Sequence, residues 1–294
     1  MEQKLFRRSF LKKSAAALGA AALISPSKIL EAAESNNPQG KNETLKTIHS
    51  LRTIHGDFTD KQIPDHDLQQ ILNASVRAAN SSAMQTYSII VIKDRSKMKD
   101  ICGYEGSCIL LYCVDYNRIK ETASYLGHEY YANSIQEFIT GSTNTILAAQ
   151  TAVIAAKSLG IDSLLTNGIH RGDIERLWRI LDLPKENCIP LIALVLGYNT
   201  EEPKYEKGRL DGVGIIHNET YHKLTEEDLE EIIKRYDDKN AHMGLVENWD
   251  KQGHKHYLDW LHKSWLRAFS KNETKETQMF SILKRSGFVD LQKF

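Results

Sequence analysis

The sequence lacks most of the signatures that would announce a mechanism. Only four cysteines occur in 294 residues. None of Cys102, Cys108, Cys113 and Cys188 makes a Cys-x-x-Cys pair, which excludes the usual zinc and redox-dithiol spacings. Cys108 and Cys113 lie in or beside the apolar run CILLYCVDY, so buried thiols are expected in preference to disulfides. Excess charge is missing too: 38 Lys and Arg balance 38 Asp and Glu, and no electrostatic case for nucleic acid follows. Beyond the first 33 residues no apolar run is long enough to cross a bilayer. There is no Gly-x-Ser-x-Gly elbow and no phosphate loop ending in Gly-Lys-Ser/Thr, and Gly212-Val213-Gly214 lacks the third glycine of a dinucleotide fingerprint. His254 and His256 would diverge on a helix, so no metal site is expected.

What is present begins with RRSFLKKSAAALGAAALI. Arg7 and Arg8, the following Ser-Phe-Leu-Lys and the small apolar run resemble a twin-arginine translocation signal. That resemblance implies the twin-arginine export machinery as a partner and an exported, periplasmic protein. Residues 1–33 read as this signal, 34–46 as a polar flexible linker, 47–220 as the core, and 221–294 as a C-terminal helical extension of the same domain.

Within the core, Asp65 is expected to cap a helix over HDLQQILNASVRAA, with Leu68, Ile71, Leu72, Ser75 and Val76 on one face. YSIIVIKD and CILLYCVDY read as buried strands. TILAAQTAVIAAKSL, from Thr145 to Leu159, is apolar on nearly all sides and closed by Gly160, which suits the centre of a domain or a dimer. IDSLL is a candidate strand. The loop TNGIHRGD, the helix IERLWRILDL stopped by Pro184, and the strand PLIALVLGY follow. EEDLEEIIKRY and KHYLDWLHKSWLRAF predict charged C-terminal helices, the second with Tyr257, Leu261 and Trp265 on one face.

Taken in order, LRTIHGDFTDKQIPDHDL, ANSSAMQTYSIIVI, CVDYNR, AAQTAVIAAKSLGI, IPLIALVLGY, KGRLDGVGIIHNETY and MFSILKRSGF resemble the nitroreductase superfamily, in its flavin reductase P-like branch of oxygen-insensitive nitroreductases. The resemblance runs from His49 to Phe288. It implies an α+β fold with a central mixed, mainly antiparallel sheet flanked by helices, in an intertwined homodimer that binds FMN at its interface. The implied chemistry is ping-pong, with NADH or NADPH, or a redox partner protein, as donor. A small planar nitroaromatic, quinone or flavin would be the acceptor, and no side chain is required as a catalyst.

Residue by residue, the resemblance makes Arg52, Lys207 and Arg209 the anchors of the FMN phosphate, a role that a bidentate fork and two further charges suit, with Thr53 and His55 beside Arg52. Ser81, Ser82 and Gln85 would meet the polar edge and ribityl chain. Asn167 and Gly168 would pass their backbone near the reactive flavin N5. The sequence departs from the branch at His55, which stands where a second arginine is usual and has an extra residue between it and Phe58, and again at His170, where a branch arginine follows the glycine loop. A flavin-carrying protein without turnover, and a reductive dehalogenase-like enzyme, are the alternatives.

Overall fold

The computed structural model describes residues 42–130, 135–170, 173–267 and 273–289. Their centre is a four-stranded sheet built from β1 (Tyr87–Ile92), β2 (Cys108–Asp115), β3 (Asp162–Thr166) and β4 (Cys188–Gly197), in the order β1-β2-β4-β3 and antiparallel at every described pairing. β2 and β4 take the middle because they are the most continuously apolar runs: both are buried along almost their whole length. Pro190 lies in β4, a central strand where its missing N–H would normally break the ladder. The register shifts opposite Cys113, and this bulge absorbs it. All four cysteines are buried, free thiols.

Helices cover the sheet. They are α1 (Glu43–His49), α2 (Asp65–Ser75), α3 (Arg95–Cys102), α4 (Asn117–Tyr125), α5 (Ile135–Ser158) and α6 (Glu175–Leu181). Toward the C-terminus come α7 (Glu226–Asp237), α8 (Tyr257–Trp260) and α9 (Glu273–Arg285). The long α5 packs on the sheet and on α2. Gly141 sets how closely: a Cβ there would lie 2.6 Å from Val114 Cγ1, so only glycine lets α5 approach β2 this tightly.

Several boundaries differ from the sequence expectation. Glu43 to Lys46, read as linker, are already helical. Asp65 is the first residue of α2 and not its cap, since Pro64 holds that place and the Asp65 carboxylate accepts from Lys93 Nζ at 2.6 Å. Val76 ends up exposed beyond the helix. α5 begins ten residues before Thr145, because IQEFITGST continues the same helix. α6 stops at Asp182, whose left-handed backbone (φ 50°) turns the chain before Pro184 is reached. After α8 the chain continues as a π-turn over Leu261–Leu266. Its wider spacing brings Trp265 against Trp260, at 6.3 Å between centroids, so that Tyr257, Leu261 and Trp265 do not form the expected single face.

Candidate functional site

The segment from Leu51 to His55 runs beside β3, fixed by Ile54 N–H donating to the Ser163 carbonyl at 3.0 Å. It presents Arg52 to the start of that strand. Arg52 donates from Nε and Nη2 to Asp162 Oδ1 at 3.2 and 3.1 Å, and from Nη1 to the Glu202 carboxylate. The Glu202 carboxyl is held below its usual range, first by the Arg52 hydrogen bond. Lys207 Nζ donates to the Gly244 carbonyl at 2.7 Å, and Arg209 Nη1 to the Gly208 and Lys207 carbonyls at 2.8 and 3.1 Å.

These three cations, with Thr53 and His55, line one cavity of about 440 Å³. An adjoining cavity of about 510 Å³ shares Arg52, Lys207 and Arg209 and reaches Gln150 and Val153 of α5 and Ser163 and Leu165 of β3. Ser163 and Leu165 lie on one face of the strand. The strand they belong to ends at Thr166, two residues before Gly168.

At Gly168 the chain makes a single 3₁₀ turn through His170. The Gly168 N–H, expected to face a flavin, donates to Thr166 Oγ1 at 2.9 Å within its own loop. A Cβ at that position would sit 3.0 Å from the same hydroxyl, so the glycine answers a close approach. His170 turns inward: its Nε2 pairs with the Pro190 carbonyl at 3.0 Å, and burial lowers its pKa. Its ring is thus engaged with the sheet, at the position where the resembling branch has an arginine. Arg171, which could replace that charge, lies outside the described residues.

Ser81, Ser82 and Gln85 stand apart from the cation cavity. Ser81 N–H donates to Asn144 of α5 at 3.0 Å. Val153, which lines the cavity, is about two and a half turns further along α5, on the opposite side of the helix and roughly 13 Å away along its axis. Within one chain the structure thus brings together Arg52, Thr53, His55, Lys207 and Arg209, and separates them from the serine segment. Sequence reasoning missed Asp162, Glu202, Asn144 and Arg118. Each is an ordinary polar residue in its local pattern, and only the tertiary structure gives it a partner.

No protein-family profile matches the chain. Among curated proteins it is 30% identical over 209 residues to an FMN reductase [NAD(P)H] of Bacillus subtilis, covering 67% of this chain and 81% of that one. The chain belongs to this flavin reductase and nitroreductase family. It is also 27% identical to the oxygen-insensitive NADPH nitroreductase of Salmonella typhimurium, over 75% of this chain and 96% of that one. The solved structure of Bacillus megaterium NfrA2 superposes with a TM-score of 0.67 at 26% identity, over 84% of this chain and 98% of that one. The chain is accordingly an oxidoreductase of the FMN- and NAD(P)H-dependent type. The periplasmic location expected from Arg7 and Arg8 is overturned by these relatives, which are named for NAD(P)H and NADPH, soluble donors of the cytoplasm. The leader on which that expectation rested lies outside the described residues.

Proposed function

We propose that this member of the family binds FMN, accepts reducing equivalents from NADH or NADPH, and passes them to a small planar nitroaromatic, quinone or flavin. The observation that carries the proposal is the convergence of Arg52 with Lys207 and Arg209, far along the chain from it, on one cavity. A doubly charged phosphate suits such a donor set. Bound FMN would supply the hydride and electron chemistry. The chain's own part is to anchor and orient. Arg52 is pre-aimed by Asp162, Lys207 and Arg209 add charge, and Ser163 and Leu165 offer a surface leading to the Gly168 loop. Ser82 and Gln85 would supply neutral hydrogen bonds to the ring or ribityl chain.

Because the serine segment and the cation cavity lie on opposite sides of α5, a flavin touching both draws them from two copies of the chain. A homodimer is therefore part of the proposal. Exposed apolar side chains on α5, Ile139 at 60% and Ile146 at 46%, and in the segment between β4 and α7, Ile216 at 64%, supply area for it.

The purified protein is expected to be yellow and to release FMN, not FAD, on denaturation. It should also oxidise NADH or NADPH with menadione as acceptor. Arg209→Ala should weaken FMN binding by about 1.5–3 kcal/mol, the worth of a charge-assisted contact. Unchanged flavin occupancy of that variant at limiting FMN, or release of FAD from the native protein, would overturn the assignment.

A further inference from the structure

The stretch from Ser81 to Gln85 has an unusual backbone. Ser82, Ala83 and Gln85 all have positive φ, at 51°, 56° and 48°. None is glycine, so each adopts the left-handed region against its steric preference. Strain of this kind, gathered in one surface loop, persists only where surrounding contacts over-determine it.

Those contacts come from four directions. Asn144, 3% exposed on α5, accepts from Ser81 N–H at 3.0 Å and donates from Nδ2 to Thr86 Oγ1 at 2.8 Å, clasping both ends of the loop. Asn80 Oδ1 accepts from Gln85 N–H at 3.1 Å. Arg118 Nη2, reaching from α4, donates to the Met84 and Gln85 carbonyls at 2.8 and 2.6 Å. The Thr86 carbonyl in turn accepts from Asp115 N–H at 3.2 Å, which ties the end of the loop to β2.

We propose that Asn144 and Arg118 are positioning residues, which hold this loop in the one shape that presents Ser82 and Gln85 to the flavin. The proposal rests on the reading of that pair as flavin ligands. An amide suits the inner position because one rigid plane offers both an acceptor and a donor. A guanidinium suits the outer one because its Nη2 can bridge the two successive carbonyls of Met84 and Gln85. Packing alone would not select for this conformation, since Ser82 and Ala83 are exposed.

The test compares Asn144→Leu, Arg118→Met, Arg118→Lys and the pair Ser82→Ala/Gln85→Ala. Each is purified as the full chain, stripped of flavin and titrated with FMN by fluorescence quenching, with the thermal midpoint of the apoprotein measured in parallel. Asn144→Leu and Arg118→Met are each expected to weaken FMN binding roughly tenfold or more, and Arg118→Lys to recover part of that loss. In the Ser82→Ala/Gln85→Ala background the same two changes should cost less than about twofold further, the non-additivity expected of groups acting through one another. If they cost their full amount in that background, or nothing in the native one, the positioning role is wrong. If Ser82→Ala/Gln85→Ala itself binds FMN as tightly as the native chain, the loop is no flavin ligand and the proposal falls with that reading. Should Asn144→Leu fail to fold, the solvent-facing Arg118 variants carry the test.

Discussion

Arg52 carries two carboxylates, and they differ in what they can give up. The Asp162 side chain is 10% exposed and holds Nε and Nη2 in place, whereas that of Glu202 is 75% exposed and only covers Nη1. An arriving phosphate would therefore displace Glu202 and keep Asp162 as the brace behind the guanidinium. Glu202→Gln should tighten FMN binding roughly two- to fivefold at low salt, the modest scale of an exposed ion pair, with the gain shrinking as salt rises. Titration of apoprotein at two ionic strengths checks this; equal or weaker binding by the variant would mean that Glu202 does not compete for Arg52. The cations proposed as phosphate anchors are visible in the sequence because they sit in recognisable motifs. Their neutralising partners are not, because Asp162 merely opens a strand and Glu202 occupies a loop, and nothing local aims either at Arg52.

At the level of elements, α5 does most to organise the molecule. One of its faces lies on the sheet, with Ala148, Ala149, Ala152 and Ala156 fully buried. Another leaves Ile135, Ile139 and Ile146, four and seven residues apart, open to solvent. If that stripe is covered by a second copy, Ile139→Lys/Ile146→Lys should yield a folded monomer that has lost FMN, read by light scattering and the visible spectrum. A flavin-loaded dimer in this variant would remove α5 from the interface. The strands were legible because unbroken Val, Ile and Leu runs bounded by polar residues admit little else. The beginning of α5 was not, since Gly141, Ser142 and Thr143 resemble a break until Gly141 is seen against Val114. The turn after α8 escaped for a different reason: its apolar spacing fits an ordinary helix, and only its packing on Trp249 and Trp260 reveals the wider π form.

For the molecule as a whole, the α+β architecture could be read from the order of the segments, and the site only in halves. Composition and missing motifs removed metal, nucleophile and nucleic-acid chemistry from consideration, while the ordered resemblance supplied the flavin. What the linear chain hides is that the two sets of residues proposed to meet the flavin approach α5 about two and a half turns apart, at Asn144 and at Val153. If the site is shared between two copies as proposed, the division gives its genetics a form that a site within one chain would not have. On the proposed homodimer, a chain carrying Arg209→Ala and a chain carrying Gln85→Ala would each be defective at both sites of their own dimer. When the two are unfolded together and allowed to reassemble at random, half of the dimers pair one of each, and in these one site collects both defects while the other collects neither. About a quarter of all sites should then bind FMN with native affinity, although neither parent has any. Mixing two crippled proteins would thus restore a countable fraction of intact sites, whereas residues that served a flavin within one chain would leave the mixture as defective as its parts.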